Sequence, residues 1–148
     1  MIDTPPEALL PHRGNMLLVK ELESADTTTL HSSALAYLDE NCLFYDKAMG
    51  GIPPEISIEI MAQGVGLLSG YREISNRQPV SRKAMLLSIK RYEVYCDCIP
   101  INTLLRTTNA VTMEEPPIGI YDCKLYRADD NTLLAQTEIT AYNPAHTP

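Results

Sequence analysis

The stretch that decides the fold is Pro53-Pro54-Glu55-Ile56-Ser57-Ile58-Glu59-Ile60-Met61-Ala62-Gln63-Gly64-Val65-Gly66-Leu67-Leu68-Ser69-Gly70-Tyr71-Arg72. Its two prolines stand where that residue favours a helix start, because φ is preset and the missing N–H has no use in a first turn. Glu55 complements the positive end of the helix dipole. Residues 55–72 are therefore predicted as one long helix. Ile56, Ile60, Met61, Val65, Leu67 and Leu68 surround most of its circumference, so it has no broad wet face and other structure must wrap it. One stripe breaks the apolar pattern. Glu55, Glu59, Gln63, Gly66 and Gly70 follow one another at steps of three and four, so they share a side of the helix. Glycine inside a helix costs stability unless another group approaches closely there, and on this stripe a carboxylate and an amide accompany the glycines.

Working outward, residues 16–22 and 27–38 read as strands before the helix, followed by an irregular stretch, 39–51, that ends in Gly50-Gly51. Beyond a polar link containing Pro79, residues 85–95, 103–113, 119–126 and 133–142 read as four more strands. Ile99-Pro100, Glu115-Pro116-Pro117 and Asp129-Asp130-Asn131 supply the breaks between them. An antiparallel sheet curled around one long apolar central helix satisfies this order. That is an α+β class chain with the hotdog architecture; another α+β sandwich is the alternative. At 148 residues, with no repeat and with prolines 5, 6, 144 and 148 at its ends, the chain is predicted to be a single domain over 1–148.

Twelve basic residues against nineteen acidic ones give a net charge of -7. No basic face is available for phosphate, which argues against a nucleic-acid partner. The densest cationic cluster is Arg72, Arg77, Arg82, Lys83, Lys90 and Arg91, the one candidate docking patch for an anionic partner. No apolar run approaches the roughly 18–20 residues of a membrane span. The acidic start of the chain lacks the order of a secretory signal, so the expectation is a cytoplasmic protein. In that setting Cys42, Cys96, Cys98 and Cys123 read as buried thiols. Cys96 and Cys98 are one residue apart, so on a strand they would share a face rather than pinch a metal, and no metal site is expected.

Two segments carry a family resemblance. Leu10-Pro11-His12-Arg13-Gly14-Asn15-Met16-Leu17-Leu18-Val19 leads the first strand, and Pro53-Pro54-Glu55-Ile56-Ser57-Ile58-Glu59-Ile60-Met61-Ala62-Gln63 opens the helix. Both resemble the hotdog-fold 3-hydroxyacyl-[acyl-carrier-protein] dehydratases of fatty-acid synthesis. With Ser69-Gly70-Tyr71 further along the helix, the chain is most similar to the ApeP-like subgroup of aryl-polyene biosynthesis. The resemblance implies dehydration of a 3-hydroxyacyl thioester: a base removes the α-proton and an acid protonates the departing hydroxyl. Glu59 matches the family's helix carboxylate and Gln63 its helix amide. The family's catalytic His precedes the helix Glu by fourteen residues, and that count lands on Tyr45. Catalytic candidates are therefore Glu59, His12 and Tyr45. Gln63, Gly64 and Ser57 are candidates for contact with substrate.

Each candidate also has a plainer role. Glu59 can be a capped interface carboxylate, Gln63 an orienting amide, His12 a hydrogen-bonded structural residue, and Tyr45 a packed loop aromatic. Gly64, Gly66 and Gly70 can admit a pantetheine arm or simply let a neighbour pack closely. No role is assigned to His31 or His146. The resemblance implies an acyl carrier protein as partner, docked through the basic cluster. It also implies a homodimer, or a heterodimer with another hotdog dehydratase that supplies a complete His/Glu pair. No cofactor is implied beyond the 4'-phosphopantetheine carried by the acyl carrier protein. A catalytically silent acyl-binding subunit and a hotdog thioesterase are the alternative functions.

Overall fold

The computed structural model describes residues 2–81 and 84–146. Six strands form one antiparallel sheet: β1 Val19–Asp26, β2 His31–Leu38, β3 Met85–Val94, β4 Thr103–Glu115, β5 Ile118–Arg127 and β6 Thr132–Tyr142. Their order across the sheet is β1-β2-β4-β5-β6-β3. Among the described residues one α-helix, α1 Ser57–Ser75, follows a short 3-10 turn at Pro54–Ile56 and packs its side chains into the core against the sheet. This is the hotdog architecture.

Alternation along the strands decides which side is the core. Ala34 and Ala36 of β2, Leu105 of β4, Tyr121, Cys123 and Leu125 of β5, and Ala135 and Ile139 of β6 are buried at every second position, as a sheet with one covered face requires. They meet Ile60, Met61, Leu67 and Leu68 of α1, all fully buried. Each such side chain contributes roughly 1.5–3 kcal/mol by leaving water. Buried positions run around α1 on several sides, including Gln63, Gly64, Gly70 and Glu73. Wrapping rather than simple docking is therefore the right description.

The boundaries differ most from the sequence expectation at the first two strands. Residues 27–29 form a turn, because the Asp26 carboxylate accepts the backbone N–H groups of Thr28 and Thr29 at 2.8 and 3.1 Å and diverts the chain. Residues 14–16 form a 3-10 turn opened by Gly14 at φ 57°, so β1 begins only at Val19. β3 ends at Val94, which places Cys96 and Cys98 on the following loop rather than on a strand. That loop is pinned by the backbone bridge between Ile52 and Ile99.

Two members of the basic cluster have acidic partners. Arg72 is hydrogen-bonded to Glu114 on β4, and Arg91 reaches Glu138 on β6 at 2.7 Å. Arg77 and Lys90 are exposed. Arg82 and Lys83 lie outside the described residues, as does Pro148.

Candidate active site

Gln63 organises the site. It is buried at 1% exposure on α1 and uses all four of its hydrogen-bonding positions. Its Oε1 accepts the backbone N–H groups of Leu18 at 2.8 Å and Val19 at 3.2 Å. Its Nε2 donates to the Met16 carbonyl at 2.7 Å and to Glu59 Oε1 at 3.0 Å. The amide therefore fastens the start of β1 to the helix and turns the Glu59 carboxylate, one helical turn earlier, toward a fixed direction.

The segment before β1 brings the histidine. Arg13 folds back over three carbonyls, donating to Leu10 O and His12 O at 2.7 Å and to Glu7 O at 2.9 Å. This holds the 9–13 segment against α1, where Gly66 and Gly70 leave it room. A Cβ on Gly70 would stand 2.8 Å from the Leu9 carbonyl oxygen, and one on Gly66 would stand 2.5 Å from a Leu10 methyl. The stripe glycines thus serve close packing of this segment. His12 is set down with Nε2 3.3 Å from Glu59 Oε1. The two side chains keep 30% and 36% of their surface exposed, so the pair is reachable from solvent.

His12, Glu59 and Gln63 stand in the wall of a cavity of about 260 Å³. It runs along the α1 stripe from Glu59 past Gly66 and Ser69 to Glu73. The 9–12 segment, the beginnings of β3 and β5 and the end of β6 complete its walls. Its middle is largely apolar, with Leu9, Val65, Ile118 and Ile139 among its lining. A narrow, mostly apolar cavity with a few convergent polar groups suits a flexible acyl chain with one reacting end. Tyr121 also lines it, and burial pushes its phenol up to about 12, so this hydroxyl stays protonated and neutral.

Of the six residues expected from sequence, the structure gathers Glu59, His12 and Gln63. It does not bring the other three to this cavity. Tyr45 sits in the 39–52 loop, partly buried against the core, with its backbone N–H bound to the Cys42 carbonyl. Ser57 points elsewhere, sharing a 2.8 Å hydrogen bond with the Tyr92 hydroxyl. Gly64 faces β4: a Cβ there would run into the side chains of Asn109 and Thr107, so its glycine serves helix-to-sheet contact. Sequence reasoning missed Arg13 as the residue that presents His12, although it lies inside the quoted Leu-Pro-His-Arg segment. It also missed the cavity's other polar end, at Glu73 and His146, because nothing local joins those two positions.

No curated protein matches the chain. Among solved structures, the chain is similar to the dehydratase heterocomplex ApeI:P from Xenorhabdus doucetiae, with a TM-score of 0.86 at 19% identity over 95% of this chain and 91% of that one. It is also similar to a hypothetical thioesterase with coenzyme A from Streptococcus pneumoniae TIGR4, with a TM-score of 0.64 at 10% identity over 86% and 88%. A third similar structure is smu.793 from Streptococcus mutans UA159 bound to acetyl CoA, with a TM-score of 0.65 at 10% identity over 86% and 90%. These likenesses establish the hotdog fold. The family described as ApeP-like, ApeP dehydratase, matches residues 4–148. A match running from before the Leu-Pro-His-Arg segment to the end of the chain takes in both motifs and all six strands, and the chain belongs to the ApeP-like dehydratase family.

Proposed function

We propose that the protein dehydrates 3-hydroxyacyl thioesters carried by an acyl carrier protein, as one subunit of a heterodimer with a second hotdog dehydratase chain. The observation that carries this reading is the Gln63–Glu59–His12 constellation in the wall of an apolar cavity. Dehydration breaks the α C–H bond and the β C–O bond, forms the C=C bond and releases water. It needs one group to take the α-proton and another to give a proton to the leaving oxygen. Glu59 and His12 are two such groups within proton-exchange distance of each other. Gln63 holds the carboxylate in place, and among the described residues the His12 ring meets Glu59 through Nε2 while Nδ1 has no partner. Glu59 lies in the first turn of α1, where the positive end of the helix dipole favours the negative charge that develops on the thioester carbonyl.

The sheet supports the partner in this reading. Among the described residues β3 is hydrogen-bonded to β6 alone and its other edge is unpaired, and Met85, Leu86, Leu87, Val94 and Tyr95 are exposed on it or just past it. An apolar edge strand invites another chain. A second hotdog chain supplies a matching edge, in keeping with the ApeI:P heterocomplex that this chain resembles. Tyr45, at the family's His position and away from this chain's own cavity, supports a partner that brings its own catalytic residues to the assembly.

The test is mass spectrometry of a 3-hydroxyacyl-carrier-protein substrate incubated with the chain alone and with a dehydratase partner. Wild type, Glu59→Gln and His12→Ala are compared. Loss of water that falls about 10²- to 10⁴-fold in either variant is the expected result. Undiminished dehydration by Glu59→Gln overturns the assignment. Release of free acid in place of the enoyl product establishes the thioesterase alternative.

A further inference from the structure

We infer that Glu73 anchors the wall that closes the cavity opposite Glu59 and so sets the longest acyl chain the site accepts; this rests on the thioester reading above. Glu73 is 2% exposed and lies in the last turn of α1. What the carboxylate does is gather two segments distant in sequence. The Ser81 N–H donates to it, 3.2 Å from each oxygen. His146 Nε2 stands 3.8 Å from its Oε2. Beside this contact, Asn143 ties the same C-terminal turn down, donating from Nδ2 to Ser69 Oγ at 3.2 Å and from its backbone N–H to the Pro117 carbonyl at 2.9 Å. The link after α1 and the turn after β6 therefore converge on one side chain.

Glu73, Ser81, Asn143 and His146 line the same cavity as Glu59. Fourteen positions along the helix at 1.5 Å each separate the two carboxylate-bearing residues by about 21 Å. An acyl chain with its thioester at Glu59 runs along the apolar middle and gains affinity with each methylene it buries. Where the lining turns polar, further methylenes must displace the Ser81 and His146 contacts and leave a buried carboxylate unpaired. Glu73 is a positioning residue in this account: it acts on chain length through the segments it holds and touches no reacting atom.

The test uses the full chain with its partner and straight-chain 3-hydroxyacyl pantetheine thioesters, lengthened two carbons at a time. Binding is followed by calorimetry and dehydration by mass spectrometry. In wild type, affinity is expected to rise about fourfold per methylene up to a limiting length and then fall. Glu73→Gln and His146→Ala are expected to move that limit to longer chains while affinity for short chains changes less than about twofold. His146→Ala alters only a side chain at the cavity rim and carries the test if Glu73→Gln does not fold. An identical limit in wild type and variants, or equal weakening at all lengths, overturns the inference. Binding with a length limit but no dehydration sinks the dehydratase reading and leaves the Glu73 anchor standing. No binding at any length overturns both.

Discussion

Replacing Gln63 by leucine tests whether the site is held by that one amide. Leucine fills similar space and keeps the helix, but it removes all four hydrogen bonds of the side chain. Their losses are unequal. The Met16 carbonyl belongs to an exposed residue and can turn to water, and Glu59 is part-exposed and does the same. The N–H groups of Leu18 and Val19 cannot, because those residues are 4% and 2% exposed. Each orphaned buried donor costs about 1–3 kcal/mol, so the substitution should destabilise the fold by about 3 kcal/mol or somewhat more. For a domain of this size each kcal/mol moves Tm by about 2–4 °C, which puts the expected fall at about 6–12 °C. The control is Glu59→Gln, which still offers Gln63 an oxygen and gives up only a part-exposed contact worth about 1 kcal/mol or less. Thermal unfolding followed by circular dichroism reads both variants. If Gln63→Leu melts within about 2 °C of wild type, the amide is not the strut between α1 and β1, and the explanation of how Glu59 is oriented fails with it.

Two further outcomes follow from the same structure. Gly70→Ala should lower stability by about 1–3 kcal/mol in urea titrations, because its Cβ would press on the Leu9 backbone, 2.8 Å from the carbonyl oxygen; a gain, which alanine's helix propensity alone would produce, refutes the close seating of the 9–13 segment. The Tyr121 phenol is pushed up to about 12 by burial, whereas in the unfolded chain it ionises near 10. Its contribution to stability is thus present in full below about pH 10 and lost as pH rises toward 12, on the order of 2–3 kcal/mol in all. Denaturation midpoints measured across that window should fall more steeply in wild type than in Tyr121→Phe, and parallel slopes would show that this phenol does not titrate in the way its burial dictates.

The amino-acid sequence by itself determined the elements whose signals are local. The long helix was legible because apolar residues all round it, flanked by Pro53-Pro54, leave no other stable reading. The four strands after it were legible because Pro, Gly and Asx breakers separate runs of alternating residues, and their observed limits differ by one or two positions. The motif residues Glu59 and Gln63 were legible too, since the step of four puts them on one face wherever that helix is placed. The tertiary structure alone decided what those residues meet. His12 lies 47 positions from Glu59, and only the Arg13 turn, the stripe glycines and the Gln63 hydrogen bonds to Leu18 and Val19 bring the two within 3.3 Å. The same holds for other residues. Arg72 and Arg91 belong to one basic cluster in the sequence, and only strand pairing sets Glu114 and Glu138 beside them. Gly64 looked like a substrate contact until α1 turned it onto β4. The physical reason is one of range: propensity, periodicity and capping act within a few residues, whereas a site is assembled by contacts whose partners only the closed sheet brings together.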